Sequence, residues 1–153
     1  MTVAVGSPAP DFTVKDHRGE EVTLSSLRGQ MNVLLVFYPF AFSGICTGEL
    51  CAIRDDGLIS GGEGVRVMGI SCDPMWSLRA WAEAQGYDFS LLSDFWPHGA
   101  VAQSYGVFLP DLGFATRGSF LIDHAGIIRW RVVNAPGEAR PTGEYREALA
   151  ALG

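Results

Sequence analysis

At 153 residues, with 48% hydrophobic and 18% charged side chains, the chain has the size and composition of one globular domain, spanning residues 1–153, with a core of its own. The net charge of −6 argues against a nucleic-acid partner, which requires basic surface to displace counterions. No apolar run approaches the ~20 residues of a membrane helix, so no membrane partner is expected. The opening MTVAVGSPAPDF shows no basic segment followed by an apolar one, and a cytoplasmic location is the resulting expectation.

In chain order, Asp11 to Val14 and Glu21 to Leu24 read as short strands around the turn signal DHRGE. LSSLRGQ is one helical turn closed by Gly29. NVLLVFYP, branched and aromatic throughout, has the pattern of a strand buried on both faces. From Gly44 to Leu58 apolar residues recur at 45, 50, 53 and 58, near helical spacing, and the helix begins at or just before Cys46. The glycine-rich SGGEG ends it. VRVMGISC is a second buried strand, and Pro74 follows as a first-turn proline opening a helix that ends at Gly86.

FSLLSD then reads as a strand and GAVAQSYGV as a short helix, while GSFLID and IIRWRVV form a hairpin around HAG. TGEYREALAALG is a last amphipathic helix with Thr142 as its N-cap. The order β-β-β-α-β-α-β-α-β-β-α specifies an α/β fold, a mixed central sheet flanked by helices. A thioredoxin-like arrangement accommodates both the strand-to-helix cysteine and the terminal hairpin and helix. No repeat, low-complexity stretch or linker points to a second domain.

The chemistry concentrates in YPFAFSGICTGELC, residues 38–51. Cysteines in a reducing compartment are most often small buried hydrophobes, so position has to distinguish them. Cys46 opens a helix directly after a buried strand, where unpaired backbone N–H groups and the helix dipole favour thiolate over thiol. Pro39 lacks an N–H and shields a thiol from competing donors. Ser43, three residues before Cys46, either places a hydroxyl beside the sulfur or caps the helix. Glu49, three residues after it, makes S-x-x-C-x-x-E readable in part as capping chemistry. Cys72, ending VRVMGISC, reads as a packed strand-end residue, with a backup resolving role as the alternative if the neighbouring loop moves. The histidines and cysteines contain no C-x₂-C or H-x₃-H set, so no metal site is expected. The tryptophans and phenylalanines read as core and interface, and no cofactor is expected; DFWPHG packs near the site or at a dimer contact.

PFAFSGIC matches the P-x-x-x-(T/S)-x-x-C motif, and on it the chain resembles the peroxiredoxins. VGSPAPDFTVKDHRGEEVTLSSLRG resembles that family's opening strands and turn. RGSFLID resembles the place where the family supplies an active-site arginine, here Arg117. LLSDFWPHGAVAQSYGVF and RGSFLIDHAGIIRW resemble in particular the actinobacterial alkyl hydroperoxide reductase E type. The resemblance implies a thiol-dependent peroxidase acting on hydrogen peroxide and organic hydroperoxides. Cys46 would be the nucleophile and Pro39, Ser43 and Arg117 its pocket, with Glu49 orienting Arg117. Serine stands at 43 where most of the family has threonine; it keeps the hydroxyl and loses the methyl that fixes its rotamer.

Attack on a peroxide turns Cys46 into a sulfenic acid that a thiol must reduce. Cys51 is the nearest thiol in sequence, either the resolving cysteine or a buried helix residue, and here the resemblance divides. The reductase E type works with one cysteine in this region, whereas bacterioferritin-comigratory peroxiredoxins often place a resolving cysteine five residues after the first. Five residues along an ideal helix separate Cα atoms by ~8.7 Å, beyond the roughly 4.4–6.8 Å of a disulfide, so resolution requires the helix to unwind. Gly44 and Gly48 favour unwinding. The resemblance further implies a thioredoxin, a mycoredoxin or a low-molecular-weight thiol as reductant, and a homodimer. A second reading keeps the same first step but makes the Cys46–Cys51 pair a redox sensor relaying to a partner. A dithiol oxidoreductase or holdase is disfavoured, because C-x₄-C is not C-x-x-C.

Overall fold

Alternation along one strand organises both faces of the molecule. In β3 (Asn32–Phe37), Val33, Leu35 and Phe37 enter one apolar cluster, while Leu34, Val36 and the following Tyr38 enter a second on the opposite face, as a period of two dictates. The structure, a computed structural model, describes residues 2–57, 59 and 64–152.

β3 ends the parallel run of a seven-stranded mixed sheet. It pairs in parallel with β4 (Val65–Ser71), which pairs in parallel with β5 (Ser90–Ser93). On its other side it pairs antiparallel with β8 (Arg117–Ile122), which forms a hairpin with β9 (Ile128–Asn134). β1 (Thr13–Asp16) and β2 (Glu21–Thr23) extend the far edge, giving the order β2-β1-β5-β4-β3-β8-β9. One face is covered by α3 (Ala100–Tyr105) through Val101, Ala102 and Tyr105. The other is covered by α1 (Gly44–Asp55), α2 (Met75–Gln85) and α4 (Thr142–Ala151), through Leu50, Ile53, Leu78, Trp81 and Tyr145. The α/β class, the mixed sheet and the helices on both faces agree with the sequence reading.

The differences are local. β1 starts two residues later than expected, and Leu24 enters a 3₁₀ turn, Leu24–Leu27, instead of ending β2. A hairpin of two-residue strands, β6 (Phe108–Leu109) and β7 (Phe114–Ala115), has no counterpart in the sequence reading, being too short to show a period. Pro74 and Pro141, not a first-turn proline and Thr142, occupy the N-cap positions of α2 and α4. Gly86 closes α2 at φ +69° as expected. α1 ends at Asp55; Leu58 and residues 60–63 of the SGGEG segment lie outside the described residues.

The crossing of β4 under α1 leaves no space for a side chain at Gly69. A Cβ there would lie 3.0 Å from Leu91 Cδ2 and 3.1 Å from Tyr38 Cε1. Tyr38 is fully buried with its ring 5.2 Å from that of Trp81, so it has nowhere to retreat. Gly69→Ala is therefore expected to destabilise the fold by about 1–3 kcal/mol; a urea midpoint unchanged from wild type would contradict this packing.

Candidate active site

The site forms where β3 gives way to α1. Tyr38 and Pro39 are buried at the strand end, and the chain then turns through exposed Phe40 and Phe42. Phe42 sits at φ +69°, a region that non-glycine residues rarely occupy. Its neighbourhood holds the turn: Asp73 Oδ2 accepts from Ala41 N at 2.8 Å and from Ser71 Oγ at 2.7 Å, and Ser93 Oγ donates to the Asp73 carbonyl at 2.7 Å. β4 and β5 thereby fix the loop that delivers α1.

Ser43 is the N-cap of α1, its hydroxyl oxygen accepting from Cys46 N at 3.4 Å. The capping and pocket readings of Ser43 are thus compatible: its oxygen caps the helix, and its proton is left to donate. Cys46 lies in the first turn with no exposed surface. Arg117, first residue of β8 rather than ahead of it, reaches across the sheet and places Nη1 3.2 Å from Cys46 Sγ. The same nitrogen donates to Glu49 Oε1 at 2.5 Å, and Arg117 Nε donates to the Pro136 carbonyl at 2.7 Å. Ser43, Cys46, Glu49 and Arg117 are therefore brought together by direct contacts, with Pro39 buried at the end of the strand that leads into them.

A sixth side chain, absent from the sequence reading, completes the cluster. Arg140, in the segment before α4, is buried and binds both oxygens of Glu49: Nε to Oε2 at 2.9 Å, Nη2 to Oε1 at 2.9 Å, and its backbone N to Oε2 at 2.6 Å. Its Nη1 donates to the carbonyls of Phe37 (2.6 Å) and Gly118 (3.0 Å) and to Ser119 Oγ (3.1 Å). Burial alone would raise the Glu49 carboxyl, but the Arg140 bonds and charge, with that of Arg117, hold it below its ordinary value. Nothing local in NAPGEARPTGE marks Arg140; its partner lies 91 residues earlier.

The other two thiols sit in different surroundings. Burial, with Asp94 and Asp73 adding, pushes Cys72 up to about 12, as suits an inert packed residue. Cys51 is half-buried within the intact α1. Its sulfur lies 3.4 Å from Gln85 Oε1 and 3.4 Å from the Tyr87 hydroxyl. Among the described residues no helix is long and apolar enough to cross a membrane.

Comparison with known proteins agrees with this geometry. The model of the AhpC/TSA family matches residues 5–131. Alkyl hydroperoxide reductase E of Mycobacterium tuberculosis is 49% identical over 148 residues, covering 97% of both chains. Among solved structures, peroxidoxin BcpB of M. tuberculosis superposes with a TM-score of 0.85 at 29% identity, covering 97% of each chain. The reduced 2-Cys peroxiredoxin of Plasmodium vivax gives 0.86 at 29% identity, over 98% of this chain and 82% of that one. With a family match over most of its length and a near-full-length relative at this identity, the chain belongs to the AhpC/TSA family of peroxiredoxins and is a thiol-dependent peroxidase on the thioredoxin fold.

Proposed function

We propose that Cys46 is the nucleophile that reduces hydrogen peroxide and organic hydroperoxides, in a pocket made by Pro39, Ser43 and Arg117. What carries this assignment is one nitrogen. Arg117 Nη1 touches the Cys46 sulfur and is held there by Glu49. As the sulfur attacks the terminal peroxide oxygen, an S–O bond forms and the O–O bond breaks. Negative charge moves to the departing oxygen, which leaves as water or an alcohol once protonated. Donors fixed in advance around a dry centre lower that barrier, and Arg117, the Ser43 hydroxyl and the Cys46 N–H are such donors. Pro39, buried and without an N–H, supplies a wall that offers the sulfur no competing donor. A fully buried sulfur admits a substrate that is slim at its reacting end, which a terminal hydroperoxide is.

Glu49 orients Arg117, and Arg140 fixes Glu49; both act through the guanidinium at the sulfur. The sulfenic acid is then resolved by Cys51, with loss of water, and the disulfide is reduced by a thioredoxin, a mycoredoxin or a low-molecular-weight thiol. The spacing of the two cysteines supports this step, which requires α1 to open. Cytoplasm is the compartment that fits, since its thiol pool supplies such reductants. A homodimer fits the exposed aromatic surface beside the site. Phe40 packs on Phe114 of β7 with its ring tilted and the centroids 4.9 Å apart, and Phe108 of the same hairpin meets His98, which meets Phe95. Phe40, Phe95 and Trp96 are all exposed there.

Steady-state peroxide consumption tests the assignment. Cys46→Ser is expected to abolish turnover, and Arg117→Ala to lower kcat/KM by about 10²-fold, the loss typical of one such donor. Retained turnover in Cys46→Ser would remove Cys46 from the role.

Glu49 yields a stability prediction. Its folded carboxyl lies below its ordinary value of 4.5, so the stability it supplies is complete above that value and is lost as the pH falls through the lowered one. Glu49→Gln strands two buried guanidiniums and is expected to cost about 3–5 kcal/mol near neutral pH, while flattening the acid side of the stability profile. Parallel profiles for the two proteins would refute it. Sedimentation velocity is expected to give a dimer that Trp96→Glu shifts toward monomer; a monomeric wild type at micromolar concentration would exclude the dimer.

A further inference from the structure

We infer that Tyr87, assisted by Gln85, is a latch that sets how quickly α1 opens to bring Cys51 to the oxidised Cys46, and so sets the lifetime of the sulfenic acid. This rests on Cys51 as the resolving thiol. Resolution requires the Cys51 S–H and the Cys46 S–OH to condense: an S–S bond forms, the S–O bond breaks, and the thiol proton leaves with the hydroxyl as water. With both residues in the intact helix their Cα atoms stand ~8.7 Å apart, so the turn between them must come undone first.

That turn is held from outside by the C-terminal end of α2. The Tyr87 hydroxyl donates to the Thr47 carbonyl at 3.4 Å and contacts Cys51 Sγ at 3.4 Å. In an α-helix the Thr47 carbonyl also accepts from the Cys51 N–H, so one phenol grips both ends of the hydrogen-bonded turn that has to open. The Cys51 thiol donates to Gln85 Oε1 at 3.4 Å. Trp81 Nε1 donates to Thr47 Oγ1 at 3.3 Å, and Arg54, one turn on, donates to the Gln85 carbonyl. The hydroxyl is itself well anchored. Tyr87 is buried, stacked 5.1 Å from Phe89 and edge-on to Trp81 at 5.2 Å. Burial and the adjoining Cys51 push its ionisation far up, so it remains a donor.

None of these groups touches the Cys46 sulfur through a hydrogen bond, and α1's first turn is secured separately by Ser43 and Arg117. The latch therefore acts on the second step without acting on the first. While it is closed, Cys46 waits as a sulfenic acid and is open to a second peroxide, which would carry it to the sulfinic acid.

The test follows both steps in the full chain. Protein is treated with one equivalent of hydrogen peroxide, quenched with acid at intervals and weighed intact; gain of one oxygen marks the sulfenic acid, and loss of two hydrogens the disulfide. Tyr87→Phe keeps the ring and removes the hydroxyl. It is expected to form the disulfide roughly 3- to 10-fold faster, the effect of one or two neutral hydrogen bonds. It should also show less sulfinic acid under excess peroxide, with the rate of sulfenic-acid formation as in wild type. Gln85→Ala, which leaves the aromatic packing intact, should accelerate resolution in the same direction but less. Tyr105→Phe, which loses a buried hydroxyl bond to the Pro10 carbonyl on the opposite face, should leave resolution at the wild-type rate.

Disulfide formation at the wild-type rate in both Tyr87→Phe and Gln85→Ala would overturn the latch and leave the resolving role of Cys51 standing. Equal acceleration in Tyr105→Phe would overturn it in favour of general loosening. A wild type that accumulates sulfenic acid and never loses two hydrogens would remove Cys51 as the resolving thiol, and the latch with it.

Discussion

One buried carboxylate holds the site together. Glu49 binds two guanidiniums that arrive from β8 and from the segment before α4, and each remaining donor of Arg140 is satisfied by a carbonyl or hydroxyl of the sheet. A lone charge in such a place would be prohibitive, and a pair would roughly break even. Two cations around one anion instead leave a surplus of positive charge in a dry environment, and its nearest outlet is the sulfur 3.2 Å from Arg117. In the proposed reaction that surplus would serve negative charge as it moves from the sulfur to the oxygen released from the peroxide O–O bond.

Much of this was legible in the sequence because it is local. Pro39, Ser43 and Cys46 lie within eight residues, and their roles follow from a strand end, a helix N-cap and a first turn. Glu49 sits on the same helix, and Arg117 opens a strand whose apolar run is plain. Arg140 was invisible for the opposite reason. It stands in a stretch of proline, glycine and alanine, and only the closing of the sheet places it against Glu49. Asp73 is a similar case, an ordinary turn residue until the loop before α1 folds down onto it. The β6–β7 hairpin escaped because two-residue strands carry no periodicity, and the N-caps of α2 and α4 because a proline before a helix offers no side-chain signal.

Under the proposed mechanism, with Cys46 as nucleophile and Cys51 as resolving thiol, α1 has to be two things along its length. Its first turn must be rigid, since the sulfur's alignment with Arg117 is what the reaction uses. Its second turn must be separable, since Cys51 cannot reach Cys46 across an intact helix. The contacts divide the same way: Ser43 at the N-cap and Arg117 of β8 hold the first turn, while Trp81 and Gln85 of α2 and Tyr87 just beyond it hold the second. Because the two sets come from different elements, the helix can be tuned at one turn with little effect at the other.

The chain order of the cluster has a consequence for biosynthesis. The sulfur is made first, at residue 46, and the two arginines that complete its surroundings follow at 117 and 140. On a chain that emerges N-terminus first, Cys46 spends most of its synthesis without either cation and without the pocket they close. With Cys46 as the proposed nucleophile, the thiol would be an ordinary side chain while the protein is being built and gain its reactive surroundings only when the C-terminal segment docks. The last arginine to arrive is also the one that ties β3, β8 and α1 into a single body.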